Sequence, residues 1–132
     1  MNAKPILFDD YVPGAFMGER VEVYDQEQAL RWQSIFGENS QEGAAEGASM
    51  AVIAMMRGYL NLVTPRPPGN MHARQRLRMR GVPRLGETIR ITVHCRNKEI
   101  RRGHKYVELQ IQGCGTQGRA LFDALLTLIW AA

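Results

Sequence analysis

The stretch "ASMAVIAMM", Ala48–Met56, decides how this chain can fold. Only Ser49 in it is polar, so a helix built from it has no solvent face before Arg57. A helix that is apolar all round must be buried on all sides, and a sheet wrapped around it would do this. The spacing predicts a helix from near Gly47 to about Val63, stopped by Pro65 and the "PRPPG" turn.

Downstream the pattern changes from helical to alternating. "HARQRLRMRG" puts Arg74, Arg76, Arg78 and Arg80 on one face of a strand and Ala73, Gln75, Leu77 and Met79 on the other. After the "GVPRLGE" turn, Ile89, Ile91, Val93 and Cys95 alternate with Arg90, Thr92, His94 and Arg96. "KYVELQIQG" repeats the alternation, with Val107, Leu109 and Ile111 on its apolar face. Periodicity alone does not separate strand from helix for "ALFDALLTLIW". The hairpin-like "GCGTQG" before it favours a strand that closes an antiparallel meander.

Upstream, "FDDYVPGAFMGERVEV" reads as a loop entering a strand, with a turn at Pro13-Gly14. "YDQEQALRWQSIF" carries a helix start, Asp25 as N-cap and Gln28 in capping-box position, and Leu30, Ile35 and Phe36 on one face. Gly37 ends it. The sum is α+β, one domain over residues 1–132, an antiparallel sheet wrapped around a long helix.

Bulk properties narrow the function. The chain is 45% hydrophobic and 23% charged, an ordinary globular composition, and its longest apolar runs are too short to cross a bilayer. Cys95 and Cys114 lie in no metal-ligand spacing, and two free thiols point to a reducing compartment. The opening "MNAKPILFDD" reads as neither signal nor anchor, so a cytoplasmic, soluble protein is expected. The net charge of +4 comes with 14 arginines and three lysines. Arginine favours bidentate contact with phosphate or carboxylate, although a solvated basic face is the simpler account. His72, His94 and His104 show no metal or triad spacing, and nothing calls for a metal or cofactor. Nucleic acid is not expected either, because no binding motif is present and the arginine strand lacks stacking aromatics.

The segment between the two helices, "FGENSQEGAAEG" (Phe36–Gly47), holds carboxylates, glycines and an Asn-Ser pair just before the apolar helix. Taken residue by residue, it has ordinary explanations. Glu38 follows a helix-ending glycine as many solvated acids do. Asn39 and Ser40 are common turn residues. Glu46 gains from the positive end of a helix dipole. Ser49 is in no nucleophile elbow and has no evident base partner.

The order of four motifs changes the weighting. "FDDYVPGAFMG", the helix ending "FGEN", the "AAEGASMAVIAMM" run and "GVPRLGETIRITV" together resemble the MaoC-like dehydratases and (R)-specific enoyl-CoA hydratases over most of the chain. The resemblance implies a hotdog fold and a homodimer with a continuous sheet. It also implies reversible addition of water to an enoyl thioester of coenzyme A or an acyl carrier protein. That family uses Gly-Asp-x-Asn-Pro-x-His, with the Asp and His sharing the water. Here the Asp position falls on Glu38, the His position on Gly43, and a second His-Gly on Glu46-Gly47. The implied catalytic pair is therefore Glu38 and Glu46. The thioester oxygen would sit at the backbone of Gly47 and Ala48, with Asn39, Ser49 and His72 as further substrate contacts. Arg74, Arg76, Arg78 and Arg80 would meet carrier or coenzyme phosphates. Two other activities fit the same resemblance: a non-catalytic subunit paired with an intact MaoC-like chain, and a hotdog thioesterase.

Overall fold

The computed structural model describes residues 4–24 and 43–132, with residues 43–51 described as backbone. The expected helix from Asp25 to Phe36 lies outside the described residues. The elements are β1 (Phe16–Val23), α1 (Gly43–Leu62), β2 (Met71–Met79), β3 (Thr88–Arg101), β4 (His104–Cys114) and β5 (Ala120–Trp130). The five strands form one antiparallel sheet in the order β1-β3-β4-β5-β2. The architecture is α+β, as the patterning predicts.

The ambiguous segment "ALFDALLTLIW" is β5, and its position explains why. It is hydrogen-bonded to β4 on one side and β2 on the other, so its backbone is satisfied by neighbours and not by a helical ladder. Leu126, Leu128 and Trp130 face the core while Asp123, Leu125 and Thr127 face outward, both sets half-buried or better.

One expectation needs correction. β2 is not the first strand of a meander beside β3. It crosses to the far edge and pairs with β5. The burial pattern supplies the reason. β3, β4 and β5 alternate buried with less buried residues and can occupy the middle of the sheet, whereas every residue of β2 except Leu77 is exposed. A strand with so little to bury belongs at an edge.

α1 also differs from its expected form. The structure describes it from Gly43, ahead of the expected Gly47, and over residues 52–62 it buries one side, not all sides. Ala54, Met55 and Tyr59, with Val63 just past the helix end, are buried against the sheet; Val52, Ile53 and Met56 are half-buried, and Leu60 is exposed. The tightest contact is at Gly58, where a Cβ would stand 2.6 Å from Ile91 Cγ2. Glycine there lets the helix backbone itself approach the sheet. Arg57 on the flank donates to Glu22 of β1 at 2.9 Å, and the Glu22 side chain is nearly buried.

A second fixed point is Glu87, just before β3. Its carboxylate accepts from the backbone N–H of Arg84 and Thr116 and from the Arg119 guanidinium, so it ties the β4–β5 connection to the start of β3. Gly115 makes room for it, since a Cβ there would stand 2.0 Å from Glu87 Oε2. Burial pushes the Glu87 carboxyl up, but the two N–H donors and the guanidinium outweigh burial and hold it below its ordinary value of 4.5.

Two outcomes follow from these contacts. Gly58→Ala gains up to about 1 kcal/mol of helix propensity but drives a methyl into the stiff, branched Ile91 at a cost of about 1–3 kcal/mol. Net destabilisation of about 1–2 kcal/mol, read as a lower urea midpoint at unchanged slope, is expected. Glu87→Gln should cost about 2–3 kcal/mol at neutral pH. Because the folded carboxyl titrates below the unfolded one, its stabilisation is complete above the ordinary carboxylate value and is lost as pH falls below it. Wild-type melts should therefore fall more steeply with acid than those of the variant, and parallel pH profiles would contradict the role given to Glu87.

Candidate functional site at the start of the long helix

The direction of α1 can be read from its contacts. Arg57 meets Glu22, which pairs with Ile89 near the start of β3; Leu62 lies over Gly18, which pairs with Val93 farther along. The helix therefore runs from the end of the sheet where β3 begins toward the end where β5 finishes. Its twenty residues span about 30 Å, so its two ends serve different surroundings.

The N-terminal end holds the sequence-predicted site. Glu46, Gly47, Ala48 and Ser49 all lie within α1, while Glu38 and Asn39 lie outside the described residues. The described part of α1 already includes Gly43, so Gly47 and Ala48 lie within the helix. Glu46 lies toward the N-terminal, positive end of the helix dipole, where an acid is favoured.

At the C-terminal end the chain is closed. Arg66 donates to the carbonyls of Leu60 and Val63, satisfying the last turn, and its guanidinium lies over the Tyr59 ring. The N-terminal segment packs there as well: Trp130 Nε1 donates to the Ile6 carbonyl, and Tyr11 meets the Trp130 ring edge-on at 5.0 Å. Burial pushes the phenols of Tyr11 and Tyr59 and the thiol of Cys95 up, so all three stay neutral, and the buried Tyr11 hydroxyl has no hydrogen-bond partner among the described residues.

His72 belongs to this closed end. It pairs with Leu128, and with Tyr59, Arg66 and Asn70 it lines a cavity of about 290 Å³. The register shift between His72 and Arg74 turns His72 to the helix side while Arg74 points outward, a bulge that even spacing hides. The structure thus separates His72 from the start of α1 by most of the helix length.

The arginine ladder faces away from the helix. Arg74, Arg76 and Arg78 stand opposite Thr127, Leu125 and Asp123, all on the outer face of the sheet. Arg80 lies past the end of β2, its N–H bonded to the Leu121 carbonyl and its guanidinium 3.9 Å from Asp123. Arg78 and Arg80 are the members at the end of the sheet toward which α1 begins. His94 is also on the outer face, beside Phe16. Sequence reasoning missed the roles of Glu87, Arg119 and Tyr11; a lone acid after Gly86 and a tyrosine near the N-terminus carry no periodic signal.

Among the described residues no group of three or more His, Cys, Asp or Glu side chains could hold a metal ion. No helix of the described residues is long and apolar enough to cross a membrane.

Comparison with known proteins bears on this geometry. No family model matches the sequence, and no curated protein matches it. Solved structures do. The unliganded (R)-hydratase PhaJ1 from Pseudomonas aeruginosa superposes with a TM-score of 0.73 at 16% identity, over 96% of this chain and 86% of that one. A MaoC-like dehydratase from Rhodospirillum rubrum gives 0.74 at 13% identity, over 96% and 98%. The ChsH1-ChsH2 complex from Mycobacterium tuberculosis gives 0.64 at 15% identity, over 91% and 98%. The chain has the hotdog fold of the MaoC-like dehydratases and (R)-hydratases.

Proposed function

We propose that this chain adds water to, or removes it from, an acyl thioester of coenzyme A or a carrier protein, using carboxylates where related folds use Asp and His. The observation that carries the reading is the place of Glu46 toward the N-terminal, positive end of α1, in a fold shared along nearly the whole chain with (R)-hydratases.

The chemistry follows from that placement. In hydration, one carboxylate takes a proton from water as its oxygen attacks C3 of the enoyl group. Negative charge moves to the thioester oxygen, where backbone amides at the N-terminal end of α1, around Gly47 and Ala48, and the helix dipole stabilise it. The other carboxyl protonates C2, and a proton exchange between the two acids resets the site. Glu46 is one of the pair and Glu38 the other. Asn39 and Ser49 orient water and acyl chain. Met55 and Met56 are unbranched side chains suited to an adaptable apolar wall beside the acyl chain. Arg80, at the same end of the sheet, is the ladder member assigned to the phosphates of the carrier. His72 has no part in the reaction. Cys95 and Cys114 are free thiols, in keeping with a reducing compartment such as the cytoplasm.

A second reading is favoured by one observation, the glycine at position 43 where the related motif has its histidine. In that reading the chain holds the acyl group while a partner chain supplies the acid–base pair.

Incubating the protein with a panel of enoyl and 3-hydroxyacyl thioesters and weighing the products distinguishes these activities. Gain or loss of one water is expected, with Glu46→Gln and Glu38→Gln each slowing it by about 10²–10⁴-fold and His72→Ala leaving it within about twofold. Binding without turnover would assign the chain to the subunit role, and release of free thiol would assign its carboxylates to hydrolysis. Turnover unchanged in both glutamine variants would remove the carboxylate mechanism.

A further inference from the structure

The cavity of about 290 Å³ at the C-terminal end of α1 takes no part in the proposed reaction. Arg66, Asn70, Tyr59 and His72 line it, and none of its lining residues among those described is acidic. Its polar wall is therefore rich in hydrogen-bond donors and carries no carboxylate to satisfy them.

Asn70 gives the clearest signal. Gly69, at φ +94°, makes the turn that sets Asn70 against the end of β5, where Asn70 Oδ1 accepts from the Ala131 N–H at 2.8 Å. That bond fixes the amide and leaves Nδ2 as a donor. Nδ2 is buried and has no hydrogen-bond partner among the described residues. A buried donor without an acceptor is costly, and native proteins keep few of them without a use.

Arg66 is held in a comparable way. Its Nη1 is committed to the carbonyls of Leu60 and Val63, at 3.0 and 2.8 Å, and the guanidinium lies 5.3 Å from the centre of the Tyr59 ring. Nε and Nη2 form no hydrogen bond among the described residues. A guanidinium fixed through one nitrogen keeps the rest of its fork for an anion. Burial pushes the Tyr59 phenol above its ordinary value of 10.0, so it stays protonated and can donate.

The lining also selects the ligand. Arg66 is the one permanent positive charge on the wall, and the negative end of α1 offsets part of it. A single negative charge is matched better there than the higher charge of a phosphate. Pro67, Met71 and Leu128 supply apolar wall, which suits a hydrocarbon tail, and the volume lies at the small end of ligand cavities.

We infer that this cavity binds a small carboxylic acid with a short aliphatic or aromatic tail, its carboxylate held between the Arg66 guanidinium and the Asn70 amide. The inference rests on this end of the fold alone and is independent of the proposed reaction.

Calorimetric titration at neutral pH with benzoate and with hexanoate tests it. Dissociation constants of about 0.1–1 mM are expected, with benzamide, hexanamide and inorganic phosphate at least about tenfold weaker. Asn70→Asp keeps an acceptor for the Ala131 N–H but replaces the free donor with a negative oxygen. It should weaken benzoate binding at least about tenfold, and Arg66→Gln should do the same. If either variant fails to melt cooperatively, the wild-type protein decides the matter by NMR. The Asn70 side-chain amide resonance should then shift on adding benzoate and stay in place with benzamide. Equal affinity for benzamide would overturn the inference by making the cavity merely apolar. Tighter binding of phosphate would overturn the assigned ligand class. Absence of benzoate binding at about 10 mM, an unmoved Asn70 amide, or full affinity in folded Asn70→Asp would each sink it.

Discussion

The contact on which the rest of this structure depends is the approach of α1 to the sheet at Gly58. Ile91 and Ile111 are fully buried beneath that glycine, and any side chain at position 58 would hold the helix away from them. With the backbone this close, Arg57 reaches Glu22 and Leu62 reaches the bulged Gly18 of β1. These contacts set the direction of the helix, and that direction decides which end of the sheet receives its positive end and Glu46. The chemistry of the candidate site is thus a consequence of a packing constraint some four turns away along the helix.

The two ends of the helix are treated oppositely. At the C-terminal end, Arg66 satisfies the last carbonyls, aromatic rings cover the turn, and burial keeps Tyr11, Tyr59 and Cys95 neutral. A place whose phenols and thiol stay neutral suits structure and binding more than catalysis. At the end of the sheet where β3 begins, Glu87 holds the β4–β5 connection against the start of that strand. That clamp keeps this end of the sheet in one arrangement. Preorganised donors need such support if they are to stabilise charge without first having to move.

Strand parity separates the second chemical feature from the first. Side chains alternate across a sheet, so the residues that feed the core and the arginines of β2 cannot share a face. The core lies on the helix side and the surplus charge on the other, concentrated where the sheet ends. Apolar packing therefore lies inside and surplus charge outside, at the edge of the sheet. This division comes from alternation alone.

Much of this was legible in the sequence, for physical reasons that differ by element. Local patterns identified β3 and β4, because alternation over eleven or more residues has few other meanings, whereas β5 was read as a strand from the hairpin-like turn before it. The long helix was legible from its apolar run and the proline that follows it. What local pattern could not reveal was the position of β2, since the strand that follows a helix can pair with either side of a meander. The bulge beside Ala73 was equally hidden, and with it the turn of His72 to the helix side of the sheet. The structure carries α1 back to Gly43, ahead of the expected Gly47, because small residues and glycines give weak helix signals. The sequence by itself determined which residues pair into strands, which run becomes the helix, and which acids precede it. Only tertiary structure decided which edge stays open, which face the arginines occupy and which end of the helix meets them, because those depend on contacts between residues far apart in the chain.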